Sequence, residues 1–365
     1  MNDKYILVIN PGSLTTKIAV YLNTEPLFTA KINHPLLEIS HFPSIISQLE
    51  YRLNLVLKKI EEHQFDLKLL SAVCGRGGML PPLESGTYLI NQEMLDFLIN
   101  ANRGEHASNL GVIIAYQIAS DLGVPAYTVD PVSVDEMDSL ARISGMPLIE
   151  RQSLFHALNQ KAIGRQVAAD QGKDYCDLNL IITHIGGGIS VAAHRRGRII
   201  DVNNGLDGDG PMSPERSGTV PLGPLYKMCF SGQYTLSEIK KMNYGQGGLI
   251  AYLKTHDVRE VITRINGGDE YAKLIYDAMI YQIAKEIGAC STVLKGEVDF
   301  IVLTGGVAYE NYLVCELKKR VGFISRILVY PGENELLSLT HGTLRVLNNQ
   351  EKAKIFKRRI DNESI

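Results

Sequence analysis

Two turns in this chain have the residue types to bind phosphate. Asn10-Pro11-Gly12-Ser13 has Thr15, Thr16 and Lys17 just behind it, and Gly186-Gly187-Gly188 lies between two apolar runs. A nucleotide phosphate needs several N–H donors at short range. Glycine lets the backbone come close and adopt positive φ, so successive N–H groups can converge on oxygen. The hydroxyls of Ser13 and Thr15 can donate to phosphate or stand in the shell of a divalent ion. Either turn alone would also suit an ordinary hairpin. A third pair, Gly305-Gly306, closes the apolar run Ile301-Val302-Leu303-Thr304. Glycine there leaves room for adenine or ribose, although a tight strand-to-helix turn uses it as well.

These turns need strands to carry them. Residues 5–9 and 17–21 read as the two strands of a hairpin around the first turn, and 178–183 and 190–194 as those around the second. Residues 69–74, closed by Gly75-Arg76-Gly77-Gly78, and 299–304, closed by Gly305-Gly306, read as later buried strands. Residues 124–129 form another, ending at Asp130. Apolar spacing predicts helices over 44–63, 107–122, 271–294 and 335–348, and Ser153 is placed to cap one running to about Asp170. Strand, glycine turn, strand, then strand against glycine thus occurs twice. The offset of roughly 175 residues suits a duplicated domain rather than a solenoid. The two glycine turns would then face each other across a cleft and clamp one nucleotide from both sides.

Composition narrows the function. The 365 residues are enough for two domains, and 45% are apolar. Lys and Arg number 37 against 40 Asp and Glu, a net charge of −3, which makes no electrostatic case for nucleic acid or an anionic membrane. Glycine, at 33 residues, exceeds the ~7% typical of soluble proteins, and it clusters at the turns named above. Five widely spaced cysteines without a CxxC argue against disulfides and a zinc site, so a reducing cytoplasm is expected. There is neither a Walker A motif nor a GxGxxG.

Asn10-Pro11-Gly12-Ser13, Phe155-His156, His184-Ile185-Gly186-Gly187-Gly188, Pro214-Glu215-Arg216-Ser217-Gly218, Thr304-Gly305-Gly306 and Asn334-Glu335 stand in an order that resembles the acetate/butyrate kinase family. That family belongs to the sugar kinase, Hsp70 and actin superfamily. The likeness spans about residues 5–348. Asn-Pro-Gly-Ser and the stretch Pro211 to Gly223 look like the butyrate kinase branch in particular. The resemblance implies an α/β fold of two duplicated actin-like, ribonuclease H-like domains with a nucleotide cleft between them. Residues 1–150 would form the first, completed by a C-terminal helix at 345–365, and 151–344 the second. It also implies transfer of the ATP γ-phosphoryl group to a short-chain carboxylate, with ATP/ADP and Mg²⁺ as cofactors and a homo-oligomeric assembly. Butyrate is the expected acid, with isobutyrate, propionate and acetate as alternatives. A different class, an actin- or Hsp70-like ATP switch, shares the fold but needs no small-acid site.

The resemblance assigns roles residue by residue. Arg216 and His156 would stabilise the transferring phosphoryl group; an arginine holds anions by a two-pronged contact. From spacing alone, Arg216 would pair with Glu215. Asn10, Gly12, Ser13, Thr15, Lys17, His184, Gly186, Gly187, Gly188, Gly305 and Gly306 would contact the nucleotide, and Asn10 and Glu335 the metal. Asp130 would orient Arg216 or reach Mg²⁺ through water, with Glu335 also counted among the reacting groups. His106, Arg76 and Arg216 would face the acid. Acetate kinases carry an arginine three residues before a His-Gly-Gly; here Val73 stands at that position and Arg76 replaces the histidine. Arg76 would then supply the charge from a shifted position.

Overall fold

In the computed structural model residues 3–358 are described. They form two compact units: the chain through Val134 with the segment from Asn334 onward, and Asp135–Glu333. The divisions therefore fall at 134/135 and 333/334, where sequence pattern alone suggests 150/151 and 344/345. Residues after Asp135 bond to the second unit, as when the Asp138 N–H donates to the Ile200 carbonyl (2.9 Å). Asn334, by contrast, caps the helix Glu335–Leu347, which packs in the first unit.

Twelve strands are present among the described residues: β1 (Tyr5–Pro11), β2 (Thr15–Leu22), β3 (Glu25–Asn33), β4 (Ala72–Gly75), β5 (Thr87–Leu89), β6 (Ala126–Val129), β7 (Asn179–Ile185), β8 (Ile189–Arg195), β9 (Arg198–Val202), β10 (Phe300–Gly305), β11 (Ile327–Pro331) and β12 (Lys354–Ile355). The first unit holds a sheet in the order β12-β5-β6-β4-β1-β2-β3, the second one in the order β11-β10-β7-β8-β9. The segments β3-β2-β1-β4-β6 and β9-β8-β7-β10-β11 match strand for strand. Each has two antiparallel pairings followed by parallel ones. The fold is thus the duplicated α/β arrangement that the sequence pattern predicts, of the actin-like kind that the resemblance implies.

Cores follow the apolar runs. In the first unit Leu7, Ile9, Ile18 and Val73 bury against Val56, Ile60, Leu110 and Ile114 from the helices Leu49–Glu62 and Asn109–Leu122. In the second, Ile181, Val191, Ile301 and Leu303 bury against Met279, Ile283 and Ile287 of the helix Glu270–Val293. No described helix is long and apolar enough to cross a membrane.

Two local expectations are corrected. Of the expected helix 345–365, residues 348–358 are not helical: Glu335–Leu347 stops at Asn348, Asn349 takes φ 57, and Lys354–Ile355 pairs as a strand with β5. Asn tolerates that left-handed conformation and so ends the helix. Residues 359–365 lie outside those described. Ser153 is not the cap of the helix Ala157–Asp170; His156 occupies the N-cap position, without a side-chain cap bond.

Arg52 lies on the apolar face of its helix and is fully buried. Its guanidinium donates to the carbonyls of Gly12 (2.8 Å) and Ser13 (2.9 Å), to Thr16 Oγ1 and to Gln48 Oε1. No carboxylate pairs with it among the described residues. It fastens the 10–13 turn from behind with a positive charge. His34 Nε2 meets Thr16 Oγ1 at 2.8 Å beside it.

Two outcomes follow from this packing. A Cβ on Gly75 would collide with the Gly111 carbonyl of the helix Asn109–Leu122. Gly75→Ala should lower unfolding free energy by at least about 1–3 kcal/mol in urea titration. Burial and the Arg52 charge also hold the His34 pKa down, from 6.5 to about 4. Between these values the unfolded chain binds a proton that the native one does not. Stability from this group is therefore complete above pH 6.5 and is lost as pH falls towards 4. Denaturant midpoints measured across that window should fall less steeply in His34→Gln.

Candidate active site

Ile185 pairs with Ile189, so Gly186–Gly188 is the turn of the β7–β8 hairpin. None of its three glycines takes positive φ; that conformation falls on Gly305, at φ 90. What the turn requires is the missing side chain. A Cβ on Gly188 would strike the Arg216 guanidinium, one on Gly187 would lie 3.0 Å from the Glu215 carboxyl carbon, and one on Gly186 would lie 3.2 Å from Glu333 and His184. The two glycines closing β10 divide their work. Gly305 turns tightly against the Ile185 backbone, whereas Gly306 faces open space.

Arg216 sits in the loop that follows β9. Its Nη1 donates to the Gly205 carbonyl, and the guanidinium lies 4.8 Å from the centre of the Tyr244 ring. No ion pair joins it to Glu215 among the described residues. Glu215 instead bonds through its N–H to the Gly187 carbonyl (3.1 Å), which also accepts from Ser213 Oγ (2.7 Å). The Pro-Glu-Arg-Ser-Gly loop is thereby laced to the glycine turn.

The rings of His156 and His184 stack with centroids 3.8 Å apart and planes 14° apart. His156 Nδ1 meets Ser190 Oγ at 2.9 Å. His184, the last but one residue of β7, has Nδ1 2.8 Å from Asn159 Oδ1 and Nε2 3.0 Å from the Glu333 carboxylate. Nδ1 thus meets an acceptor oxygen, while Nε2 lies near a carboxylate without hydrogen-bond geometry.

A cavity of about 670 Å³ opens beside the turn, lined by Gly186, Gly187, Glu215, Gly306, Tyr309 and Glu333 among others. That is a nucleotide-sized space. His256, Asp257 and Arg259 form part of its wall. Arg259 donates to both Asp257 oxygens and holds that carboxyl down to about 2.

In the first unit, β1 ends at the Asn10-Pro11 turn and β4 runs parallel beside it, with Ile9 level with Gly75. Arg76 then leaves the sheet next to Asn10, its N–H bonded to the Ile9 carbonyl (2.8 Å). The Glu335 carboxylate binds both, one oxygen taking the Asn10 amide and the other the Arg76 guanidinium. Glu335 is held there as the first residue of its helix.

The remaining residues named from sequence lie as follows. Gly12 carries no positive φ, Ser13 and Lys17 are exposed on the hairpin, and Thr15 opens β2. Lys17 is level with Asn10. Asp130 is buried at the end of β6 with φ 39, and its carboxylate accepts from Ser85 Oγ (2.6 Å) and the Gly86 N–H (2.7 Å). His106 lies in an exposed turn with Nδ1 on Ser108 Oγ at 2.6 Å. Sequence reasoning missed Arg52, Asn159, Glu333 and the 256–259 wall. Only Arg52 left a signal, a lone charge in an apolar helical stripe.

A glycine hairpin and a nucleotide-sized cavity, carried on a duplicated actin-like fold, describe a phosphotransferase. Residues 147–351, more than half of the chain, match the model of the acetokinase family, and the chain belongs to that family. It is a kinase that uses ATP and acts on short-chain carboxylates. Solved structures share the fold. The acetate kinase of Porphyromonas gingivalis is 19% identical with a TM-score of 0.76, covering 94% of this chain and 100% of its own. A propionate kinase from Francisella tularensis is 20% identical with a TM-score of 0.73, covering 93% and 98%. The acetate kinase of Entamoeba histolytica is 17% identical with a TM-score of 0.74, covering 93% and 99%.

Gly188→Ala tests the lacing of turn and loop. The clashing atoms are the end of a flexible side chain, so folding should survive, with thermal unfolding changed by less than about 1 kcal/mol. Arg216 would have to move, and turnover should fall by up to about 100-fold.

Proposed function

We propose that this chain phosphorylates butyrate, converting ATP and butyrate to ADP and butyryl phosphate. The observation that carries this reading is the anchoring of both Arg216 and His156 to one hairpin, beside a nucleotide-sized cavity. The choice of butyrate among short acids rests on the Asn10-Pro11-Gly12-Ser13 turn and the Pro211–Gly223 stretch.

The chemistry asks for alignment and positive charge. A carboxylate oxygen attacks the γ-phosphorus, the bond to the β,γ-bridging oxygen breaks, and its electron pair leaves with ADP. No proton changes hands, because the acid is already ionised near pH 7. The transferring group is anionic at every stage, so its equatorial oxygens need donors already in place. Arg216 offers a fork of N–H groups, and we assign His156 an N–H donor beside it. His156 also heads the helix Ala157–Asp170, whose dipole favours an anion there. The carboxylates of Glu215, Glu310 and Glu333 line the cavity and suit the hydroxyl and amine donors of a nucleoside better than its phosphates. We place the nucleoside in the cavity and the phosphates at the turn.

Asn10 and Glu335 fit Mg²⁺. They offer an amide oxygen and a carboxylate, which are hard donors, and Mg²⁺ takes few protein ligands. Among the described residues no cluster of three or more His, Cys, Asp or Glu suggests a metal held by protein alone. When bound, the ion would neutralise phosphate charge. Arg76, sharing Glu335, would set how tightly that carboxylate is held.

Trapping acyl phosphate with hydroxylamine, across acetate, propionate, butyrate, isobutyrate and valerate, tests the substrate. Butyrate should give the highest kcat/KM; a clear preference for acetate or propionate would overturn the choice of acid. Arg216→Ala should lower kcat by about 10²–10³-fold while calorimetric ATP affinity stays near wild type.

A further inference from the structure

A chain of buried polar side chains leads from His156 into the interior. Tyr175 Oη lies 2.6 Å from His194 Nδ1, and His194 Nε2 lies 2.9 Å from Gln160 Oε1. Gln160 Nε2 reaches Ser190 Oγ at 2.9 Å and the Ser190 carbonyl at 3.1 Å. Ser190 Oγ then meets His156 Nδ1 at 2.9 Å. Gln160, Ser190 and His194 are fully buried and Tyr175 nearly so. A buried polar group left unmatched is costly, so every proton here must find an acceptor.

From the Ser190 carbonyl to Tyr175 the bonding allows one proton order. The Ser190 carbonyl can only accept, so the Gln160 amide must turn its NH₂ toward Ser190 and its oxygen toward His194. That oxygen also only accepts, so His194 carries its proton on Nε2. Burial, with the Lys161 charge nearby, drives the His194 pKa well below its ordinary value and keeps the ring neutral. Its bare Nδ1 then takes the Tyr175 hydroxyl proton. At the other end, Ser190 Oγ accepts the Gln160 N–H, and its own buried O–H is satisfied by donating to His156 Nδ1 if that nitrogen is unprotonated.

We propose that Ser190, Gln160, His194 and Tyr175 are positioning residues that hold His156 in the tautomer with its proton on Nε2. The ring then offers a donor rather than a lone pair on the side opposite Ser190. The catalytic consequence rests on the role given to His156 above; the tautomer itself does not. With Nδ1 protonated instead, a lone pair would meet the anionic phosphoryl group. None of the four side chains needs to touch substrate. Their geometry comes from one helix and one strand. Gln160 lies one turn beyond His156, and Ser190 and His194 share a face of β8.

Long-range ¹H–¹⁵N spectra of the ¹⁵N-histidine-labelled full chain test this, with His156→Gln assigning the His156 signals. The expected wild-type spectrum has His156 Nδ1 unprotonated and Nε2 protonated near pH 7.5. Ser190→Ala should shift that pattern and lower kcat at least about tenfold, with the KM for ATP changed much less. Tyr175→Phe, which removes only the far hydroxyl, should keep the fold and lower kcat more mildly. It carries the test if Ser190→Ala does not fold. A wild-type His156 with its proton on Nδ1 overturns the proposal whatever the activity. So does wild-type kcat with an unchanged His156 spectrum in whichever of these two variants is folded. An Nε2–H wild type whose His156→Gln variant keeps full kcat would instead overturn the role of His156, leaving the tautomer assignment standing.

Discussion

The site depends on one pairing, made twice. The first strand of a hairpin pairs antiparallel with the second and parallel with a strand far along the chain. Parallel strands end at the same edge of a sheet, so the hairpin turn and the loop after the distant strand must emerge together. In the first unit this sets Asn10 beside Arg76. In the second it sets His184 level with Thr304, and so Gly186 near Gly305 and Gly306. Residues 66 or 120 positions apart become neighbours without any direct attraction between their side chains.

Bringing backbones that close leaves no room for Cβ atoms. Gly75 lies against Gly111, Gly305 against Ile185, and Gly188 under Arg216. At the Gly186–Gly188 turn itself the glycines are therefore a packing requirement more than a conformational one. Of the glycines just named, only Gly305 needs the left-handed region. Behind the first turn, Arg52 plays a related part by filling space with charge. Its guanidinium is held by two backbone carbonyls, a hydroxyl and an amide oxygen, so the field of an uncompensated cation stays directed at the turn.

Electrostatics in the second unit is ordered by hydrogen bonding. The partners of the stacked histidines differ in kind. Asn159 offers His184 Nδ1 an amide oxygen and Glu333 brings a carboxylate to 3.0 Å from its Nε2, whereas Ser190 offers His156 a hydroxyl. The same strand, β8, thus supplies half of the hairpin and the residue that orients the histidine beside it.

Local pattern determined much of this protein. Apolar periodicity placed seven of the twelve strands and the five longest helices among the described residues, and the repeated strand–glycine–strand unit revealed the duplication. Residue order carries the resemblance on which Asn10, His156, His184, Arg216 and Glu335 are proposed for one kind of chemistry. These features are readable because they depend on neighbours within a few residues, or on types that only a few chemistries need. Tertiary structure decided the rest. It released Arg216 from Glu215, gave Glu335 both Asn10 and Arg76, buried Arg52 without a carboxylate, and ended the last helix at Leu347. It also joined Gln160, Ser190, His194 and Tyr175 into one proton order. No spacing in the chain encodes such contacts, because a hydrogen bond is chosen by distance and direction after the sheets have formed.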